Sequence, residues 1–383
     1  MVALLNRNNF VVHLKQHNTM KLNYIYLVMA IAIIFSCRKD DVPASTDIQT
    51  KVLTSNLNFP WEILWGPDST IWMTERLGRV SRVNPGTGLV TPLINISDVA
   101  SYTDFNGLVG MVLHPQFTTI PQVFVVYNYG SRTNYKEKVV RYTYNNATLI
   151  NPLIIVDNIR GIDSGSAVHN GSRLLISSDL KLFITTGDAQ DTTLPQNMAS
   201  LNGKILRVNL DGSIPADNPF PNSPIWTLGH RNVQGIVMIG NKLLISEHGA
   251  NSDDEINIVE KGRNYGWPSV QGMCNLANEQ IFCSANNVMQ PIITWTPIIA
   301  PSGLDYYTSD YIPQWKNSIL LTTLKDMQLK QLKFNGTSIT DTSSYFIHQF
   351  GRLRDLAISP EGKVYICTDN GNNNDVIVEV SRR

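Results

Sequence analysis

The sequence predicts an all-β chain closed as a six-bladed β-propeller with four-stranded blades, and three observations predict it. Apolar runs are short, rich in Val, Ile, Leu, Thr and Tyr, and separated by turns of Gly, Pro, Asn and Asp, with no long amphipathic helical pattern among them. A turn followed by an apolar strand that ends in small polar residues recurs six times. The copies lie on average about 59 residues apart, enough for four short strands with their loops, and 383 residues accommodate six such units.

The clearest copies are Gly66-Pro67-Asp68-Ser69-Thr70-Ile71-Trp72-Met73-Thr74, Ser178-Asp179-Leu180-Lys181-Leu182-Phe183-Ile184-Thr185 and Ser359-Pro360-Glu361-Gly362-Lys363-Val364-Tyr365-Ile366-Cys367. Weaker ones centre on Phe124, Leu244 and Leu320, so the aligned positions are Trp72, Phe124, Phe183, Leu244, Leu320 and Tyr365. The propeller is expected over residues 50–383. Its longest interval, Leu244 to Leu320, contains Cys274 and Cys283 in an Asn-rich stretch and marks an insertion. An irregular pair of β-sandwiches is the competing arrangement, which the common phase of the copies disfavours. In a propeller, strand ends and loops converge on one mouth of a central channel, so functional side chains are expected from several blades at similar phase.

Ahead of the repeats, the only long apolar run is Leu22 to Phe35, flanked by Lys21 and by Ser36-Cys37-Arg38-Lys39-Asp40-Asp41. A basic residue, an apolar stretch too short to span as a mature helix, and a small residue before Cys resemble a bacterial lipoprotein signal over residues 1–36, cleaved before Cys37, with residues 37–49 as linker. Phe35 departs from the usual cleavage box, and the alternatives are a plain signal peptide or an uncleaved anchor. Translation is expected to start at Met20, with residues 1–19 an extension. Removing residues 1–36 takes away three bases and no acid, which leaves a mildly acidic exported protein, periplasmic or outer-membrane-anchored, that meets the membrane only through its lipid.

With 31 basic and 31 acidic residues the formal charge is zero, which argues against a nucleic-acid partner held by phosphate neutralisation. Four Cys are too few for a disulfide scaffold. In an oxidising compartment Cys274 and Cys283 either close a small loop or remain two free thiols, while Cys367 in an apolar strand reads as a small core residue.

Three segments are unusually polar: His169-Asn170-Gly171-Ser172-Arg173-Leu174; Gly229-His230-Arg231-Asn232-Val233-Gln234-Gly235 with the following Glu247-His248-Gly249-Ala250-Asn251-Ser252-Asp253-Asp254-Glu255; and Lys325 with Arg352-Leu353-Arg354-Asp355. Arg231, Lys325, Arg352 and Arg354 fall in or beside three repeats, so they can converge on the channel mouth, and converging cations imply a small polyanion. The Asp253-Asp254-Glu255 triplet beside Gly249 suggests a hard cation held by oxygens, calcium rather than zinc. Taken singly, the alternating arginines also read as one solvated strand face and the triplet as a solvated turn.

These segments, with Phe59-Pro60-Trp61-Glu62, Gly107-Leu108-Val109-Gly110, Leu201-Asn202-Gly203-Lys204-Ile205-Leu206-Arg207, Asp211-Gly212-Ser213-Ile214-Pro215 and Arg263-Asn264-Tyr265-Gly266-Trp267-Pro268, resemble the glucose/sorbosone dehydrogenase family from Phe59 to the end. The resemblance implies a pyrroloquinoline quinone- and calcium-dependent enzyme that oxidises the C1 hydroxyl of an aldose, or another small alcohol, and passes electrons to a quinone or cytochrome acceptor. It implies that His169 is the catalytic base, that Asp188 of Thr186-Gly187-Asp188 orients it, and that Arg231 adds positive charge at the reacting carbonyl. Arg231, Asn232, Gln234, Lys325, Arg352 and Arg354 would contact the cofactor, and backbone carbonyls of Gly249 and Ala250 would hold calcium. Trp295 would pack near the cofactor plane, with core packing as its alternative.

Two departures from the family pattern weaken the expectation of glucose itself. Phe105-Asn106 stands where a polar residue usually lies beside the substrate, and Val168 stands where glucose-oxidising members carry an acid. Two rivals remain: a non-catalytic propeller that binds glycans or protein, and a calcium-dependent lactonase, whose metal would sit under side-chain carboxylates at the channel centre.

Overall fold

The computed structural model describes residues 47–100, 107–131, 133–161 and 169–383. The leader, the linker to Thr46, Phe105 and Val168 lie outside the described residues. Six antiparallel four-stranded sheets follow one another along the chain.

The innermost strands are β2 (Pro60–Trp65), β6 (Leu108–Leu113), β10 (Gly171–Ile176), β14 (Val233–Ile239), β18 (Pro301–Tyr307) and β22 (Leu353–Ile358). Each packs against the inner strands of the two neighbouring blades, β22 against β2 included, so the ring closes around a channel. The second strands are β3 (Ile71–Glu75), β7 (Gln122–Ser131), β11 (Lys181–Thr186), β15 (Lys242–Glu247), β19 (Ser318–Thr323) and β23 (Val364–Thr368). The six aligned repeat residues fall one in each of these, which is the expected register.

Second strands carry the repeat because both their faces are covered by adjacent blades. Every residue of β3, β19 and β23 is buried, so alternation gives way to a continuous apolar run. The core is distributed accordingly. Each interblade interface has its own apolar cluster, such as Trp72 with Met111, Val123 and Tyr142 between blades 1 and 2. The sixth blade is completed by the first strand: β1 (Ile48–Leu57) pairs with β24 (Asp375–Arg382), Ile48 opposite Arg382 and Leu57 opposite Asp375.

The expected insertion lies in blade 4, between β16 (Asp254–Val259) and β17 (Ile293–Trp295), and carries a short helix, α1 (Ala277–Asn286). Cys274 and Cys283 are disulfide-bonded, closing the loop around its start, and Cys367 is buried in the core.

Every inner strand has a register irregularity within its first residues, which turns consecutive side chains toward the channel. The third residues of the six strands form one layer: Glu62, Gly110, Arg173, Gly235, Gly303 and Asp355. Arg173 spans that layer, bonded to Glu62 at 2.8 Å and Asp355 at 2.9 Å. Three glycines make room for it; a Cβ on Gly303 would lie 1.8 Å from the Asp355 carboxylate. The bonded trio lines a lower cavity of about 340 Å³, whereas the second residues Trp61, Val109, Ser172, Gln234 and Arg354 line an upper cavity of about 240 Å³.

Candidate functional site

The upper cavity is built from the beginnings of inner strands and the ends of second strands. His169 and Asn170 immediately precede β10, and Asp188 follows β11. They meet because Gly187 has no side chain: a Cβ there would lie 1.8 Å from the carbonyl oxygen of His169. The Ala189 N–H donates to that carbonyl at 3.2 Å. The result is a dyad, His169 Nδ1 to Asp188 Oδ1 at 2.8 Å, with Asp188 1% exposed and the imidazole at the cavity wall. The geometry leaves Nε2 as the ring nitrogen free of Asp188, the arrangement a general base requires.

A cluster of guanidinium groups lies across the cavity. Arg354 bonds Asp369 at 2.5 Å and donates to Gln234 Oε1 at 2.9 Å. Arg76 and Arg352 lie 3.3 and 3.6 Å from the same Asp369 carboxylate. Burial would raise Asp369, yet Arg354, Arg76 and Arg352 together hold it below the usual carboxylate range. Burial lowers Arg76 to about 10, with Arg354 and Arg352 adding to the effect against the pull of Asp369, and burial also lowers Arg352. Three cations thus share one carboxylate, an excess of positive charge that suits a small polyanion.

The third part is the loop between blades 3 and 4. Glu247 accepts the backbone N–H groups of Arg231 and Asn232 and bonds buried His230 Nδ1 at 2.9 Å, which fixes the loop's path. Asn232 Oδ1 accepts from Gly171 N at 3.3 Å, tying the loop to the strand beside His169. His248 donates to the Pro301 carbonyl at 2.9 Å, and burial, then Arg354, lower its imidazole to about 3, so it stays neutral. Arg231 stands over the Trp267 ring at 5.3 Å and donates to the His248 carbonyl at 3.2 Å, with burial lowering its pKa. The Nε groups of Arg231 and Arg354 are buried without a partner, two donors available to an anion.

Of the sequence-predicted residues, the structure brings His169, Asn232, Gln234, Arg352 and Arg354 into one cavity wall, with Asp188 behind His169. Arg231 and Gly249 line an adjoining smaller cavity, with Ala250 next in the chain. Two residues are not brought in. Lys325 is exposed, and its neighbour Leu324 lines the wall instead. Trp295 sits in β17, the outermost strand of its blade, where it packs partly buried against the apolar cluster of Leu244 and Ile256. The acidic triplet is also spoken for. Asp254 accepts the N–H groups of Gly249, Ile299 and Ala300, and Glu255 accepts from Asn257. Among the described residues no three His, Cys, Asp or Glu side chains are placed to hold a metal.

Sequence reading missed Arg76, Asp369 and Trp267, although the repeat itself contained a signal. Four residues beyond the aligned positions stand Arg76, Asn128, Gly187, His248, Leu324 and Asp369, one per blade, all at the channel mouth. Arg76, His248 and Leu324 line the cavity, and Asp369 anchors its arginines.

A channel-mouth cavity with an imidazole–carboxylate dyad facing surplus guanidinium charge pairs a base with a place for a small polyanion. Residues 57–378 match the family described as glucose/sorbosone dehydrogenase. Quinoprotein glucose dehydrogenase B of Acinetobacter calcoaceticus is 34% identical, over 91% of this chain and 93% of that protein. Aldose sugar dehydrogenase YliI of Escherichia coli is 30% identical, over 89% and 94%. The solved pyrroloquinoline quinone-bound aldose sugar dehydrogenase of Streptomyces coelicolor is similar at TM-score 0.76 and 29% identity, over 89% of this chain and all of that one. The chain belongs to the glucose/sorbosone dehydrogenase family.

Proposed function

We propose that the protein is a pyrroloquinoline quinone- and calcium-dependent dehydrogenase that oxidises the C1 hydroxyl of an aldose to the lactone and hands the electrons to a quinone or cytochrome acceptor. The observation that carries this reading is the placement of the His169–Asp188 dyad in the wall that also holds Arg352 and Arg354. The residues fit a flat tricarboxylate: three guanidinium groups share one carboxylate, and two buried Nε donors lack partners. Calcium would be held by carbonyl oxygens at Gly249 and Ala250 together with the cofactor. When bound, pyrroloquinoline quinone would supply the two-electron acceptor for the hydrogen leaving C1.

The chain's own part is proton transfer and positioning. His169 Nε2 takes the substrate hydroxyl proton, and Asp188 holds the Nδ1–H tautomer and stabilises the imidazolium that forms. Arg76, Arg352 and Arg354 orient the cofactor and make no bonds. Arg231 places positive charge beside the cavity, and its burial strengthens that field.

The reading is tested by reconstituting purified protein with pyrroloquinoline quinone and calcium, then following absorbance on adding an aldose panel and an artificial acceptor. Reduction by at least one aldose is expected; binding without reduction by any member would favour a non-catalytic binding propeller. Arg354→Ala should weaken cofactor binding by about 2 kcal/mol or more, because it removes one partner of a desolvated charge pair with a cofactor carboxylate. Unchanged affinity in a titration would remove Arg354 from the cofactor site.

The leader supports a further part of the proposal, export as a lipoprotein. In a version starting at Met20, Cys37→Ser should abolish lipid labelling and release soluble protein, since one Cys carries the anchor. Recovery of wild-type protein with Cys37 unmodified would refute the anchor.

A further inference from the structure

Asp188 uses both oxygens. Oδ1 accepts from His169 Nδ1 and from the backbone N–H of Gln190, each at 2.8 Å. Oδ2 accepts from Trp267 Nε1 at 2.9 Å, across 79 residues of sequence. The same indole lies beneath Arg231, whose guanidinium carbon is 5.3 Å from the ring centroid. One side chain therefore touches both the residue that orients the base and the cation of the neighbouring loop.

Trp267 is itself held from two sides. Its N–H donates to the Gly229 carbonyl at 3.0 Å, and its carbonyl accepts from Gln196 Nε2 at 2.8 Å. Gln196 in turn exchanges bonds with Asn264, at 3.0 and 2.8 Å. Asp188 N donates to the Arg231 carbonyl at 2.8 Å, closing the loop between the two partners of the indole. Trp267 belongs to the stretch that follows β16 in blade 4, whereas Asp188 follows β11 in blade 3. A lone hydrophobic role does not account for a polar edge aimed at a carboxylate that is 1% exposed.

We infer that Trp267 is a positioning residue for the proton transfer: its indole N–H fixes the Asp188 carboxylate so that one oxygen meets His169, and its ring seats Arg231 beside the cavity. The inference rests on the reading of His169 as the base. A hydrogen bond to an ionised carboxylate stabilises its charge, so the indole N–H moderates how tightly Asp188 holds the His169 proton. The charged or titratable groups around His169 are Asp188 behind it, Arg231 with Glu247 and Asp254 beside it, neutral His248 from the adjoining loop, and the excess cations across the cavity. Trp267→Phe keeps an aromatic ring but removes the indole N–H with the pyrrole half of the bicycle, so Asp188 pulls harder on the imidazolium proton and the base is released at higher pH.

The test uses holoenzyme of wild type and Trp267→Phe. Wild-type reduction by an aldose first establishes the base chemistry, so failure there belongs to the functional reading and not to Trp267. For the variant, kcat falls roughly tenfold, as loss of a bond to a charged group allows. The acid limb of its kcat/KM profile moves to higher pH, and cofactor affinity, set by the arginines, stays within a few-fold. A variant whose activity falls equally at every pH, or one with unchanged kcat and profile, overturns the inference. Should Trp267→Phe fail to fold, wild-type protein still decides the matter: the indole N–H resonance of Trp267, assigned by its displacement in Asp188→Asn or by selective labelling, should shift with pH at the midpoint of the His169 ring signals. An indole signal indifferent to the His169 titration overturns the inference as well.

Discussion

His169→Ala should bind pyrroloquinoline quinone as the parent does and lose on the order of 10²–10⁴-fold in turnover, the range attached to one general base. The separation is expected because the imidazole contacts Asp188, whereas the arginines depend on Asp369 and Gln234. His169 has a left-handed backbone, φ 61, a conformation Asn tolerates better than Ala. His169→Asn is therefore the control for backbone strain and should show the same loss. In wild type, kcat/KM should fall on the acid side as the base takes up a proton and ceases to accept one. A cofactor titration paired with a stopped-flow reduction step on one sample decides the matter: binding retained with reduction lost supports the base, and reduction retained refutes it.

Arg173→Ala should destabilise the fold by about 3–5 kcal/mol, the effect of leaving a buried ionic partner uncompensated. Arg173 is 2% exposed and bridges Glu62 and Asp355 across the channel. Burial already raises the Glu62 carboxyl well above the usual range, against the opposing pull of Arg173. A carboxyl whose folded pKa exceeds its unfolded value holds more protons when folded, so its contribution to stability declines as pH rises from about 4.3 through the folded pKa. Without Arg173 that decline deepens. The variant should be closest to wild type near pH 4 and furthest from it at neutral pH and above, as urea midpoints across pH would show. A loss independent of pH would mean that packing rather than charge dominates the layer.

The fold was legible because its loudest element is covered on both sides. Second strands such as β3 and β23 are buried throughout, whereas outer strands such as β21 (Ile339–Tyr345) are partly buried or exposed over Ile339–Ser343 and give a weak pattern. Motifs at the channel mouth were also legible, since His169, Asn232, Gln234 and Arg354 lie just before or at the start of inner strands. Radial position was not. Trp295 stands in a polar, motif-like stretch yet lies in the outermost strand of its blade, and distance from the axis depends on which strand of the blade a residue occupies. Nor could local pattern reveal partners joined by ring closure: the Ile63 N–H meets Asp355 across 292 residues. The Arg76–Asp369 pairing, across 293 residues, belongs to this class, although the phase of both residues in the repeat was legible, and the Trp267–Asp188 bond likewise joins two separate blades.

The pairing of β1 with β24 has a kinetic consequence. The first strand of the domain to emerge during synthesis is the last to find its partner, because Ile48 must wait for Arg382. Until then its pairing edge is open, and contacts of such long sequence separation form slowly. A strand in that state is a template for intermolecular pairing. Yield of folded protein should therefore be governed less by the strength of any one blade than by how long the nascent chain is shielded before the ring shuts.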